Sequence, residues 1–385
     1  MEYKYKIPLA RPDITDLERR AVLKVLKTPY LSLGPKLEEF ERKIAQYVGV
    51  KYAVGVNSGT SALHLIIRAL GIKDGDEVIT TPFSFIASAN CILFEKAKPV
   101  FIDIDEKTLN IDPDKIEKKI TKKTKAILAV DVFGHPADWD ALKKIAKKYN
   151  LFLIEDSAEA LGSEYGSVDS PQAKGKKCGS FGEAAIFGFY PNKQITTGEG
   201  GVVVTNNRGI AELCCSMRDQ GRQKGGGWHF YQRLGYNYRL SDINCALGIA
   251  QMNRIKEIFN KREKVANMYN ERLRDFSELE IPYISPNIKM SWFVYVVRLN
   301  KKYSQKDRDK IIKEMSKRGI QTSNYFPCIH LQPFYRKMFG YKSGDFPIAE
   351  SVSQRTIALP FYNNLKEEEI NYVVKNLKEI IKKLK

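Results

Sequence analysis

Between about residues 52 and 205, short apolar runs alternate with amphipathic segments, and this alternation restricts the possible folds more than any other feature. The runs "YAVGV", "DEVIT", "PVFIDI", "KAILAV", "LFLIEDSA", "AAIFGF" and "GGVVVTN" are rich in Val, Ile and Phe and read as strands. Strands that are apolar nearly throughout need cover on both faces of their sheet. The segments between them can supply it: residues 138–148, "DWDALKKIAKK", place Leu142, Ile145 and Ala146 on one side of a helix. The pattern predicts an α/β fold, a mostly parallel seven-stranded sheet between helices. Upstream, Ile14, Leu17, Ala21 and Val25 recur at helical spacing, as do Leu37, Phe40, Ile44 and Tyr47 beyond the Gly34-Pro35 turn.

After residue 240 the character changes. A helical region is expected over 241–275, then a strand at "WFVYVVRL" and helices near 305–318 and 366–384. A length of 385 residues suits two domains. We expect a large α/β domain over 1–255 and a smaller C-terminal α+β domain over 256–385. The stretch "GRQKGGGWH" (221–229) reads either as a flap or as a plain surface loop. Leu377, Ile380, Ile381 and Leu384 form a terminal stripe expected to pack on a domain and not on a membrane.

The formal net charge of +18 raises the question of a nucleic-acid partner. Yet the lysines are spread along the chain and interleaved with glutamate, as in "KIEKKITKKTKA", and no RNA-binding aromatic signature or zinc finger accompanies them. Solvated helix faces, with some attraction for a phosphorylated small substrate, account for the charge. We expect no nucleic-acid partner; a DNA-binding regulator stays open as the reading from a different class. No run of about 18 apolar residues suggests a membrane span. The start, "MEYKYKIPLARPD", lacks an apolar leader, so a cytoplasmic location is expected. Cys91, Cys178, Cys214, Cys215, Cys245 and Cys328 form no C-x-x-C pair, which predicts free, mostly buried thiols and no metal.

Four stretches carry candidate chemistry. In "VGVNSGTSALHL" a strand ends at Val56 and a helix opens near Gly59, so Ser58, Gly59, Thr60 and Ser61 form either a phosphate cradle or an ordinary N-cap. In "TPFSFIASAN", Phe83 and Phe85 follow a strand, where ligands of open α/β sheets collect and an aromatic face could stack on a planar ring. "LFLIEDSAEA" runs an apolar strand into Glu155-Asp156, a position suited to a metal, a ribose or a protonated ring nitrogen. "GFYPNKQITTGEGG" then sets Lys193 at the end of another strand. A lysine for covalent attachment, an acid for a heterocyclic nitrogen, an aromatic face and a phosphate cradle together fit pyridoxal 5'-phosphate (PLP).

The ordered motifs "NSGTSALHL", "TPFSFIASAN", "PVFIDID", "IEDSAEALGS", "PNKQITTGEGG", "LGYNYRLSDINCALGIAQ" and "YFPCIHLQPFY" resemble the DegT/DnrJ/EryC1/StrS family, from about residue 6 to 335. Its members are fold-type I, PLP-dependent aminotransferases acting on nucleotide-linked keto sugars. Within it, "EDSAEA" and "NKQITTGEGG" are similar to GDP-perosamine synthases, which aminate a 4-keto-6-deoxy sugar. The resemblance implies that Lys193 anchors the cofactor covalently and, once released, serves as base and acid of a proton shift. It implies that Asp156 pairs with the ring nitrogen, Phe85 stacks on the ring, Gly59 and Thr60 hold the phosphate, and Glu159 lies near the ring hydroxyl. Asn237 is expected to reach the phosphate of a neighbouring subunit, which implies a homodimer with shared active sites. Arg239, His330 and Tyr325 resemble positions of the sugar-nucleotide cleft. The amino donor is expected to be L-glutamate, cycling the cofactor between PLP and its pyridoxamine form, PMP. Many relatives carry a phosphate-binding Ser where this chain has Gly188, and Ser58, Ser61 or water is the expected substitute. Relatives that dehydrate have His in place of the lysine, so Lys193 argues for transamination. Amination of a non-nucleotide cyclitol ketone is the alternative within the same chemistry.

Overall fold

The computed structural model describes residues 5–166, 175–223, 225 and 230–384. Most of the 221–229 stretch, Trp228 included, therefore lies outside the described residues. Each apolar run forms a strand: β1 Tyr52–Val56, β2 Glu77–Thr80, β3 Lys98–Phe101, β4 Thr124–Val130, β5 Phe152–Asp156, β6 Ala184–Gly188 and β7 Gly201–Thr205. They make one seven-stranded sheet in the order β1-β7-β6-β5-β4-β2-β3. β2, β3, β4, β5 and β6 pair in parallel, whereas β7 runs antiparallel to both β6 and β1. Six strands thus share a direction, and their carboxyl ends open on one edge.

Helices α1 Asp16–Val25, α2 Pro35–Val48, α3 Gly59–Ala69, α4 Ala87–Phe94, α5 Trp139–Tyr149, α6 Arg208–Arg218 and α7 Asp242–Asn253 accompany the sheet. In α5 the side chain of Asp138 caps the amide of Ala141 at 3.0 Å, and Leu142, Ile145 and Ala146 are buried as their spacing predicts. α2 likewise buries Leu37, Phe40 and Ile44, and stops at Gly49, whose φ of 86° lies in the left-handed region. α1 behaves differently. Val25 is buried, but Leu17 is 57% exposed, and Leu23 and Leu26 are exposed beside it. The residue this helix buries completely is Glu18, which meets Arg254 at 2.8 Å. Docking through an ion pair leaves Leu17 facing out while Val25 stays buried.

The helical region expected over 241–275 is two helices, α7 and α8 Ile255–Leu273, broken at Arg254 (φ −103°, ψ 8°). A second core lies beyond. Val265, Tyr269 and Leu273 of α8 pack with a three-stranded antiparallel sheet of β8 Leu279–Glu280, β9 Tyr295–Leu299 and β10 Thr356–Leu359. Four helices complete this region: α9 Gln305–Lys317, α10 Pro333–Phe339, α11 Pro347–Arg355 and α12 Glu367–Lys382. Leu377, Ile380 and Ile381 of α12 join the core, with Leu384 packed against it. Residue 255 is the first of α8, but the packing does not divide there. Ile255 and Ile258 belong to the core beneath the large sheet, while Ile7, at the other end of the chain, lies in the second core. The Ile7 amide bonds to the carbonyl of Gly319 at 3.0 Å, which ties the amino-terminal segment to the C-terminal unit.

Candidate active site

The sheet's carboxyl edge converts four separate sequence stretches into one place. The loops after β1, β2, β5 and β6 line a cavity of about 570 Å³, closed on its far side by Phe293, Tyr325 and Phe326 from the C-terminal half. A volume of that order holds a small cofactor with part of a substrate.

The chain leaves β1 and enters α3 at Ser58, whose hydroxyl oxygen accepts the Ser61 amide at 3.1 Å. The first intrahelical bond is Ala62 N–H to Ser58 C=O, 3.1 Å. Gly59 and Thr60 therefore present their amides at the positive end of a helix, and both line the cavity. β7 packs directly beneath: a Cβ on Gly201 would stand 2.5 Å from the Ser58 carbonyl, so glycine is required there. Ser61 does not line the cavity; its hydroxyl is buried and donates to Asn57 Oδ1 at 2.6 Å. Ser58 does line the cavity. At Gly188 a Cβ would meet the Ala158 Cβ at 3.7 Å and Lys193 Cε at 4.0 Å, both ordinary contacts. A serine fits there. Gly188→Ser is expected to fold normally and to hold PLP roughly tenfold more tightly, as one more bond to a charged phosphate would do. Equilibrium dialysis of PLP against both proteins measures this; equal or weaker retention would contradict it.

Lys193 follows β6 in a turn closed by its own amide on the Tyr190 carbonyl at 2.9 Å, with Gly198 (φ 83°) reversing the chain toward β7. Its ammonium lies 3.4 Å from Glu159 Oε1 and 4.0 Å from the centre of the Phe293 ring. Glu159 is held from behind, since its Oε2 accepts the Phe133 amide at 2.9 Å. Burial pushes the Glu159 carboxyl up, against the pull of the Lys193 charge and the Phe133 amide. Asp156, the last residue of β5, is also pushed up by burial; Ser88, the Ala158 amide and the charge of Lys193 oppose the shift.

Strand alternation sends Glu155 to the opposite face. There it accepts the Gly179 and Phe181 amides and lies with Asp131 and Cys178, all three buried, within one 4.8 Å group. Asp131 in turn accepts from Ala137, Trp139 and Ser157. Burial raises both carboxyls. These donors fill the group, which braces the sheet behind Asp156.

The predicted residues divide clearly. Ser58, Gly59, Thr60, Phe85, Asp156, Glu159, Lys193 and Tyr325 all line the cavity. Phe85 is 59% exposed at the cavity, whereas Phe83 is fully buried against Phe133 and Phe326 and belongs to the core. His330 does not line the cleft. It is fully buried, with Nε2 3.0 Å from Glu350, because the segment after Cys328 turns inward under α10 and α11. Arg239 is likewise absent from the lining; its guanidinium pairs with Asp219 at 2.8 Å. Asn237 is exposed outside its own cavity, its carbonyl accepting from Asn57 at 3.3 Å. Sequence reading missed Ser84, Ser88, Tyr190, Asn192, Glu199 and Phe293, which all line the site. The first two stand in a stretch already singled out, so proximity to Phe85 was a usable signal. Nothing local announces Phe293, which lies a hundred residues beyond Lys193.

Comparison with known proteins agrees with this geometry. Residues 12–378 match the DegT/DnrJ/EryC1/StrS aminotransferase family. The chain belongs to this family. It is 37% identical to a GDP-perosamine synthase of Caulobacter vibrioides, with 98% of each chain covered. It superposes on the aminotransferase PseC of Helicobacter pylori with a TM-score of 0.91 at 32% identity, over 98% of this chain and 99% of that one. A putative sugar aminotransferase of Streptococcus pneumoniae, known in PLP and PMP forms, superposes with a TM-score of 0.92 at 28% identity, over 99% and 100% of the two chains. The protein is a PLP-dependent aminotransferase. The donor set fits the cofactor: a helix start for an anion, a buried carboxylate, a lysine and an exposed ring meet in one cavity. Among the described residues no helix is long and apolar enough to cross a membrane.

Proposed function

We propose that this aminotransferase moves an amino group from an amino acid, L-glutamate, to the keto group of a nucleotide-linked sugar, a 4-keto-6-deoxy sugar by its likeness to GDP-perosamine synthase. The observation that carries this reading is the convergence of Lys193, Asp156 and the start of α3 on a single cavity. Similarity to PseC, an aminotransferase of pseudoaminic acid biosynthesis, also supports a sugar substrate.

PLP, when bound, supplies a ring that withdraws electrons from the carbon bearing the amine. The protein supplies the rest. Gly59 and Thr60 receive the phosphate at the helix start, with Ser58 at the rim. Asp156, ionised, would pair with a protonated ring nitrogen, and Phe85 would lie against the ring. Lys193 would anchor the cofactor and, when not attached to it, would act as the base and acid that moves the proton. Glu159, fixed by the Phe133 amide, stands against the lysine's ammonium and orients it. Tyr325 and Asn192, whose side chains lie 3.4 Å apart, both line the cavity and would contact a substrate there. Arg239 and His330 have no place in the cavity of their own chain.

A homodimer completes the reading. Leu17, Leu23, Leu26, Tyr30, Leu31 and Leu33 are all exposed and lie close along the chain, apolar side chains that a second copy could cover. Asn237, also exposed, would then serve the neighbouring subunit's phosphate. The five buried thiols, unpaired, fit a reducing cytoplasm. The DNA-binding alternative has no support beyond net charge.

The substrate is tested by reducing the PLP form with L-glutamate and adding candidate ketones. A nucleotide-linked 4-keto-6-deoxy sugar should restore the absorbance of the PLP form. Restoration by a cyclitol ketone alone, or by no nucleotide sugar, would overturn the substrate assignment.

A further inference from the structure

We propose that Ser88 is a positioning residue for Asp156, with Ser84 fixing the direction of its hydroxyl, so that the pair keeps the carboxylate aimed into the cavity in its charged form. Ser88 Oγ donates to Asp156 Oδ2 at 2.7 Å, and the Ala158 amide donates to Oδ1 at 3.2 Å. Each carboxylate oxygen therefore has one donor within the protein and a free lone pair for what enters the cavity. Ser84 Oγ lies 3.0 Å from Ser88 Oγ. The hydroxyl of Ser88 has one proton, and it is committed to Asp156. Ser84 must therefore give its own proton to Ser88, which polarises the bond onward to the carboxylate. Ser84, Ser88 and Asp156 are all buried, so losing a donor there is costly. The backbone of Ser88 is satisfied separately, its amide bonding to the Phe85 carbonyl at 3.2 Å, and its hydroxyl makes no helix cap. The same turn of chain thus carries Phe85 to the cavity mouth and Ser88 to its floor.

The need for such a device is electrostatic. Burial works against a charge on Asp156, and the groups facing it are few: Ser88 and the Cys91 thiol from α4, Glu159 beyond β5, and Lys193 from the turn after β6. Glu159 repels the charge, while Lys193 attracts it and must change partners during each turnover. Ser88 is the contribution that stays constant. Removing it takes a donor from the ionised form, so the midpoint for Asp156 ionisation rises and its charged form is lost at higher pH than in the unaltered protein.

The proposal rests on Asp156 serving the ring nitrogen, and the test separates the two. Ser88→Ala, Ser88→Thr, Ser84→Ala and Asp156→Asn are compared as PLP-loaded proteins. The readouts are PLP affinity, the pH dependence of the visible absorbance of bound cofactor, and melting temperature. Ser88→Ala should bind PLP roughly tenfold more weakly and move the acid limb of the profile up by about one pH unit, the worth of one hydrogen bond to a charged group. Ser84→Ala should move it the same way by less, and Ser88→Thr, which keeps the hydroxyl, should stay near the unaltered protein. An unshifted profile and unchanged affinity in Ser88→Ala, with Asp156→Asn impaired, would overturn the role of Ser88. Activity lost without any shift of the profile would do the same, marking Ser88 as merely structural. Asp156→Asn behaving as the unaltered protein would instead overturn the ring-nitrogen reading. Should Ser88→Ala fail to fold, the direction of the Ser84→Ala shift decides.

Discussion

Lys193→Ala is expected to lose the yellow colour of the PLP-loaded protein and to lower the rate of amino transfer by at least about 10²–10⁴-fold, the usual worth of a positioned acid–base group. The loss should be at the large end, since the same side chain also anchors the cofactor. Folding should be preserved. The ammonium makes one ion pair, with Glu159, and one ring contact, with Phe293, and the turn that carries it is held by backbone bonds. Absorbance spectra and single-turnover rates with L-glutamate check both effects; a colourless wild-type protein that takes up no PLP would reject the assignment outright. The same variant also tests the shared site. Mixed with Asn237→Ala, itself expected to be impaired, it should form heterodimers with one intact site. That site combines Lys193 of one subunit with Asn237 of the other. No recovered activity in such mixtures would argue that each chain completes its own site.

Arg254→Ala should destabilise the fold by about 3–5 kcal/mol, the cost of leaving buried charges without their partner. The Arg254 guanidinium reaches Glu18 at 2.8 Å and Asp13 at 3.2 Å, while Glu257 closes its outer side at 2.9 Å. Burial opposes the charge on Glu18, but donors from Thr15, Arg254 and Gln251 outweigh it and hold the carboxyl at about 2, below its ordinary 4.5. Asp13 is lowered as well, burial again being outweighed, by Asn363, Lys261 and Arg254. A depressed carboxylate stabilises the folded state above its unfolded pKa, and the contribution is lost as pH falls through the folded value. The unaltered protein should therefore lose stability between about pH 4.5 and 2 from Glu18 alone. In Arg254→Ala Glu18 loses its principal cation and Asp13 one of two, so less stability remains to be lost, and the gap between the proteins should narrow as pH falls. Urea unfolding at pH 7 and pH 4, at one protein concentration, measures both the size and the trend. A gap independent of pH would show that lost packing, not lost charge, accounts for the effect.

Particular residues show how far sequence pattern carries. Leu142, Ile145 and Ala146 could be assigned to a buried face from spacing alone, because a helix against a sheet buries one stripe and local periodicity records it. The same periodicity at Leu17 misled. What buries α1 is Glu18, through Arg254, and the sequence distance between that pair hides their contact. Lys193, Asp156 and Gly59 were legible because each follows a strand that ends at the same edge of a parallel sheet, where direction alone brings them together. His330 was misplaced for the opposite reason. It lies in irregular chain, where no period says which way a side chain faces, and it turns inward to Glu350.

The sheet, the family, the cofactor and the residues that follow the strands could all be read from the sequence, since each depends on local order along the chain. Only packing shows that Phe293 lies over Lys193, that Ser88 stands behind Asp156, and that Glu18 of α1 is buried against Arg254. Those contacts join segments whose spacing encodes nothing about one another. They arise from packing, where burial and the need to satisfy each buried polar group select the neighbour.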